Sequence, residues 1–218
     1  MDKPYAPACD RNREPILAEL RGRLAGARRV LEIGSGTGQH AVYFAAAMPW
    51  LTWQCTDRAE HVPGMRLWLE DAALPNTPPP QVLDVTSVSW PVEPGSGVRP
   101  FDAVFSANTL HIMSWTAVEA FFNGVGRLLA HVGQGQLMVY GPFNHAGQYT
   151  SDSNRDFDAW LRARDPLSGI RDAEAVDALA HEVGLALQAD VPMPANNRLR
   201  MWTRNPAAQE PEARGMGT

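Results

Sequence analysis

At 218 residues, 44% hydrophobic and net charge -5, the chain has enough apolar material for one sizeable domain and no excess of positive charge to draw it to nucleic acid or an anionic membrane surface. Its apolar runs fall short of a membrane span. The first fifteen residues lack the apolar core of a secretory signal, and Cys9 and Cys55 have no metal-ligand spacing, so a reducing cytoplasm is the expected setting. One lysine, Lys3, stands against eighteen arginines. A P-loop and a Tyr-x-x-x-Lys dehydrogenase dyad lose their key residue, and the one candidate for a Schiff base lies in the N-terminal tail. The histidines are scattered without H-E-x-x-H spacing, and no G-x-S-x-G elbow occurs.

Residues 10–24 place Ile16, Leu17, Leu20 and Leu24 on one helical face, with Pro15 near the expected first turn. A strand follows over 29–33, then the turn Gly34-Ser35-Gly36-Thr37-Gly38 and a helix over 39–47, stopped by Pro49. The pattern strand-E-x-G-x-G-x-G, with Gln39 where a dinucleotide enzyme has its last glycine, resembles the first motif of class I S-adenosylmethionine-dependent methyltransferases. That resemblance implies that Glu32, Gly34, Ser35, Gly36 and Gly38 hold the amino-acid end of the cofactor, backbone amides on one side and Glu32 toward its ammonium. A tight strand-helix turn with a capping acid is the plainer alternative.

The next strand, 51–56, ends at Asp57, nineteen residues past Gly38. An acid at that distance accepts ribose hydroxyls in nucleoside-binding sheets. A helix N-cap is the alternative. A helix over 62–73 and a proline-rich loop over 75–80 lead to a strand over 81–85. In the resembled fold, an acid placed like Asp84 accepts from the adenine amino group and the N–H of Val85 meets the ring. Otherwise Asp84 starts an Asx turn. A turn-rich stretch over 91–100 precedes a strand over 101–107. Asn108, just beyond it, is expected in the cofactor pocket. His111 is the candidate catalytic base, because its ordinary pKa lies near neutrality. A structural hydrogen bond is its plainer role, and Asp102 reads as a turn residue. The Asn/Asp-Pro-Pro-aromatic motif of amino-group methyltransferases is missing here.

Ser114 caps a helix to about residue 131, and a strand over 136–140 follows. Helices over 153–164 and 172–183 precede strands over 185–191 and 198–204, joined closely enough to pair antiparallel. Residues 205–218 read as a disordered tail. The alternation predicts an α/β fold: a mostly parallel seven-stranded sheet, helices on both faces, and a C-terminal antiparallel pair. The chain divides into a lid segment 1–27, a methyltransferase-like domain 28–204 and the tail. Ligands of such sheets sit beyond the carboxyl ends of the strands.

Several segments are more specific. Ala8-Cys9-Asp10-Arg11-Asn12-Arg13-Glu14-Pro15-Ile16-Leu17, Thr109-Leu110-His111-Ile112, Gly141-Pro142-Phe143, Ser151-Asp152-Ser153-Asn154 with Phe157-Asp158, Asp165-Pro166, Gly169-Ile170-Arg171-Asp172 and Met193-Pro194-Ala195-Asn196-Asn197 resemble the methyltransferase-like-26 family. The resemblance spans nearly all of residues 4–204 and implies a class I methyltransferase fold, without naming a substrate. Tyr5, Arg11, Asn12, Asn144, Tyr149, Asn196 and Asn197 are the candidate lid and substrate wall. Amides, phenols and a guanidinium suit a small polar or anionic molecule. The expected activity is methyl transfer from S-adenosylmethionine to a small molecule. A cofactor-binding module without turnover, and a nicotinamide oxidoreductase, are the alternatives.

Overall fold

The computed structural model describes residues 2–92, 99–130 and 132–204. The expected tail over 205–218, the middle of the 91–100 stretch and the expected helix end at 131 lie outside these residues. Nine strands and six helices are formed among the described residues: α1 Pro7–Arg23, β1 Arg29–Ile33, α2 Gln39–Ala47, β2 Thr52–Asp57, α3 Val62–Ala72, β3 Gln81–Val82, β4 Ala103–Ala107, α4 Trp115–Leu129, β5 Gln136–Gly141, β6 Phe143–Asn144, α5 Asp152–Arg164, β7 Arg171–Asp172, α6 Ala173–Glu182, β8 Leu185–Met193 and β9 Asn197–Arg204.

Seven strands make the main sheet, in the order β3-β2-β1-β4-β5-β9-β8. The first five are parallel. β9 pairs antiparallel with β5 on one side and β8 on the other. The chain winds outward from β1 through β2 to β3, then returns to lay β4 against the other side of β1. The order therefore reverses between β1 and β4, and their carboxyl tips form the crevice where such sheets take ligands. β6 and β7 form a separate two-stranded ladder.

The central strands read as unbroken apolar runs because both faces are covered. In β1, Val30 faces one core with Trp53, Phe105 and the α1 and α2 side chains. Leu31 and Ile33 face the other core, with Val104, Phe121, Phe122 and Trp202. Glu32 shares the Val30 face by strand alternation, so a carboxyl group enters an apolar layer. α4 starts where Ser114 Oγ accepts from Ala117 N (3.2 Å) and runs with a continuous buried stripe.

Two differences from the sequence reading have a clear physical cause. Helix α1 begins at Pro7, so Pro15 lies inside it rather than in its first turn; the missing N–H leaves the Arg11 carbonyl without its usual helical donor. Strand β3 is two residues long instead of five. The side chain of Asp84 captures Thr86 N (2.9 Å) and Thr86 Oγ1 (2.7 Å), and this Asx turn bends the chain off the sheet. Asp102 acts as a staple: its Oδ2 accepts from the backbone N–H groups of Arg28 (2.7 Å) and Arg29 (2.9 Å), tying β4 to the start of β1. Among the described residues, no helix is long and apolar enough to cross a membrane.

Candidate functional site

The three glycines after β1 serve different ends. Gly34 (φ +74°) lies against Thr109: a Cβ there would sit 2.7 Å from Thr109 Cγ2. Thr109 is held in turn by Ser106, whose Oγ donates to Ile33 O (2.8 Å) and lies 2.9 Å from Thr109 Oγ1. This contact joins the tips of β1 and β4. Gly36 (φ +58°) is the reverse case, since a Cβ there would meet nothing within 4 Å. Its Cα opens onto free space at the strand tips, where a ligand's backbone could approach.

The turn does not present a row of waiting amides, and this corrects the expected anion cradle. Gly34 N and Ser35 N both donate to Thr56 O (3.0 Å each), and Gly38 N donates to Ser35 O (2.9 Å). Gly36 N donates to Asp57 Oδ2 (2.7 Å) and Gln39 N to Thr37 Oγ1 (3.3 Å). The short turn folds back on β2 and satisfies itself. What it offers is space, edged by side chains.

Those side chains are acidic and amidic. Glu32 is 1% exposed, and its Oε2 accepts from Trp53 Nε1 (2.9 Å). Burial raises its pKa to about 7; the bonds from Trp53 and Ser35 pull it down, and Asp57 nearby pushes it up. Glu32 in turn adds to the effect of burial on the Cys9 thiol, which rises to about 11. Gln39, at the start of α2, accepts through Oε1 from Ala6 N (2.6 Å) and Thr37 Oγ1 (3.0 Å). Its buried Nε2 has no partner among the described residues. Asp57 ends β2, with Oδ1 accepting from Arg58 N (2.7 Å) and Oδ2 from Gly36 N. Each oxygen keeps a further lone pair for an outside donor.

Asp84 lies beyond β3, exposed, with its carboxyl pKa lowered by the two Thr86 bonds. Its neighbour Val85 is buried in the second core. Glu32, Asp57 and Asp84 thus stand at the carboxyl ends of three adjacent strands. Only Glu32 and Asp57 face a common space closely enough to perturb one another.

A second feature lies beside this one. A cleft of about 640 Å3 opens beyond β4 and β5. Asn108 and Tyr140 form its floor, α1 brings Arg11 and Asn12, α5 brings Phe157, and the β8–β9 turn brings Asn197. Asn108 holds φ +58°, a left-handed conformation that asparagine tolerates, and its N–H donates to Tyr140 O (2.8 Å). Asn12 is buried, and its Oδ1 lies 2.7 Å from His40 Nε2. Burial holds His40 near a pKa of about 4, hence neutral. An amide oxygen only accepts, so His40 carries its proton on Nε2.

Arg11, Asn12, Asn108 and Asn197 are therefore brought to one cleft from three parts of the chain. The other wall candidates are elsewhere. Tyr5 is 59% exposed and bonds Asp10. Tyr149 donates to Asp158 Oδ2 (2.8 Å), and Asp158 is a buried hub that also receives Ile170 N (2.6 Å) and Arg162 Nε (2.7 Å). Asn144 is buried in β6, and Asn196 bonds Ser153 Oγ (3.2 Å) at the edge of the hairpin turn. His111 is buried, with its pKa lowered to about 4 by burial and then by Arg171. Its ring packs edge-on against Phe157 (5.4 Å), so Phe157 and not His111 forms that stretch of cleft wall.

Tyr140, Phe157 and Gln39 were not singled out from sequence. Tyr140 carried a usable signal: it is a phenol near the carboxyl end of an apolar strand, where ligands of such sheets sit. Gln39 and Phe157 had none, being an amide and an aromatic on ordinary helices.

This sheet order, with its glycine turn at the switch point and a C-terminal antiparallel pair, defines a Rossmann-like class I methyltransferase fold. Solved structures agree. An O-methyltransferase family protein from Burkholderia thailandensis shares 17% identity at TM-score 0.74, over 88% of this chain and 56% of that one. The S-adenosylmethionine-dependent methyltransferase SibL shares 21% at TM-score 0.70, over 90% and 55%. PigF, solved with SAH, shares 13% at TM-score 0.70, over 88% and 61%. The chain spans little more than half the length of these proteins. Within the sequence itself, residues 3–204 match the model of a family described as "Protein of unknown function (DUF938)", and the chain belongs to that family.

Proposed function

We propose that this protein is an S-adenosylmethionine-dependent methyltransferase acting on a small molecule. The observation that carries the reading is the pairing at the β1–β2 tips: an open Gly36 beside a buried Glu32 and a half-buried Asp57. These residues fit the cofactor. A buried carboxyl group whose pKa is raised to about 7 lacks a positive partner, and an ammonium would supply one. The buried Gln39 Nε2 lacks an acceptor, and a carboxylate would supply that. Asp57 has lone pairs to spare for two hydroxyl donors, and Asp84 and Val85 are assigned to the adenine side. The resemblance to the methyltransferase-like-26 family supports the same reading.

When bound, S-adenosylmethionine supplies a methyl group activated by its sulfonium. The chain's own work is placement. Glu32, Gln39 and Asp57 fix one reactant at the switch point, and the cleft over Asn108 and Tyr140 fixes the other beside it. Holding two reactants in near-attack geometry removes roughly 7–11 kcal/mol of barrier. The segment before α1 covers this site: Trp68 Nε1 donates to Pro4 O (2.5 Å), and Ala6 N docks on Gln39.

A binding module without turnover is the second reading. One observation favours it: among the described residues no carboxylate or imidazole lines the cleft, so a nucleophile carrying a proton finds no strong base in that lining. Two experiments decide. Calorimetry with S-adenosylhomocysteine and with NAD should give binding for the first and none for the second; the opposite pattern sinks the proposal. Transfer of labelled methyl from the cofactor into a metabolite extract should give a labelled small molecule. Binding without any transfer selects the module.

A further inference from the structure

Arg11 is the one guanidinium at the cleft, and among the described residues it has neither an ion pair nor a hydrogen-bond partner. Its neighbour in α1, Arg13, is occupied: it pairs with Asp10 (2.7 Å) and lies over the Tyr43 ring (4.6 Å). Among the described residues, no Asp or Glu lines the cleft to neutralise Arg11. Its charge reaches the hydroxyl of Tyr140 on the floor.

Tyr140 is poised as a donor. Its ring is buried, and Asn12 and Asn197 line the cleft beside it. Asn12 has spent its Oδ1 on His40, which leaves Nδ2 as its remaining polar group. The phenol O–H can donate to an oxygen in the cleft. Burial raises the Tyr140 pKa, which keeps the proton on. Opposite stands an apolar wall of Phe157, Pro142 and Pro194. Phe157 is fixed between His111 and Trp160, its ring stacked 5.8 Å from the latter.

We infer that this cleft recognises a small organic acid, its carboxylate held by Arg11 and Tyr140 and its apolar body against Phe157. One guanidinium and one phenol O–H match the two oxygens and single charge of a carboxylate. A phosphate, with up to two charges and more acceptor oxygens, would leave this donor set short. The inference names the acceptor class for the proposed methyltransferase and rests on that reading only for the chemistry, since the clamp itself is a feature of the chain.

The test uses benzoate and phenylacetate against their uncharged amides, benzamide and phenylacetamide. Each is titrated by calorimetry into the protein alone and into protein saturated with S-adenosylhomocysteine. The acids should bind at least about tenfold tighter than the amides. Arg11→Gln should erase that preference at an unchanged melting temperature, and Tyr140→Phe should reduce it about threefold in a variant that still unfolds cooperatively. Acids and amides binding alike, neither acid binding, or a preference that survives Arg11→Gln would each overturn the clamp. Failure of S-adenosylhomocysteine to bind sinks the methyltransferase reading instead, and the titrations of protein alone still judge the clamp.

Discussion

The tips of β1 and β2 and the cleft over β4 and β5 lie side by side but are built on opposite plans. The first is local: Glu32, Gly36, Gln39 and Asp57 fall within 26 residues, and the backbone turn that joins them is closed by its own hydrogen bonds. The second is gathered from α1, β4, β5, α5 and the β8–β9 turn, and its polar groups are side chains. The first region is rigid with a vacancy at its edge. The second is a wall whose shape depends on how distant elements dock.

Substitutions should separate the two. Gly34→Val should do the most damage. Its Cβ would lie 2.7 Å from Thr109 Cγ2 at a φ of +74°. Left-handed backbone and overpacking together cost about 3–4 kcal/mol in urea unfolding. Gly36→Ala, with open space around it, should lose only about 1 kcal/mol of stability while weakening S-adenosylhomocysteine binding. Equal stability losses would erase the distinction between packing glycine and site glycine.

Glu32→Gln comes next. An acid raised in the folded chain from 4.5 to about 7 destabilises the fold as pH climbs between those values, by about 3 kcal/mol once pH exceeds 7. His40 and His111, depressed from 6.5 to about 4, act the other way: stability falls as pH drops from 6.5 toward 4. At pH 8 the Gln variant should therefore unfold at higher urea than the native protein, and at pH 4.5 the two should coincide. It should also lose affinity for S-adenosylhomocysteine. A variant less stable at pH 8 contradicts the assignment of a buried, uncompensated acid.

Asp57→Ala removes an acceptor for charged hydrogen bonds and should weaken S-adenosylhomocysteine binding by about 2 kcal/mol, read by calorimetry. Unchanged affinity in a folded variant refutes its role. Tyr149→Phe should be the mildest. It loses one bond to the Asp158 hub, about 1 kcal/mol in a melting experiment, and should leave the cleft's affinities alone.

The local plan explains what was readable in the chain. Strand β1 and helix α2 carry their boundaries in sequence, because an apolar run, a glycine turn and Pro49 are neighbours. The acids at 32 and 57 are readable by distance from that turn. Strand β3 is not, because its length is decided by the Asp84 side chain competing for the Thr86 amide. The cleft is only half readable. Arg11, Asn12 and Asn197 look like loop and helix residues until the sheet brings them together. Tyr149 and Tyr5 look no different in sequence, yet their hydroxyls are taken by Asp158 and Asp10. Nothing local records which phenol finds an internal acceptor.

The wide spacing of the cleft's parts also sets an order of assembly. Residues 32, 36, 39 and 57 are all in hand once β2 has been made. The wall opposite Arg11 waits until Asn197 leaves the ribosome and β9 threads between β5 and β8 as the penultimate strand of the sheet. A growing chain therefore acquires its glycine turn early and the last side of its cleft late.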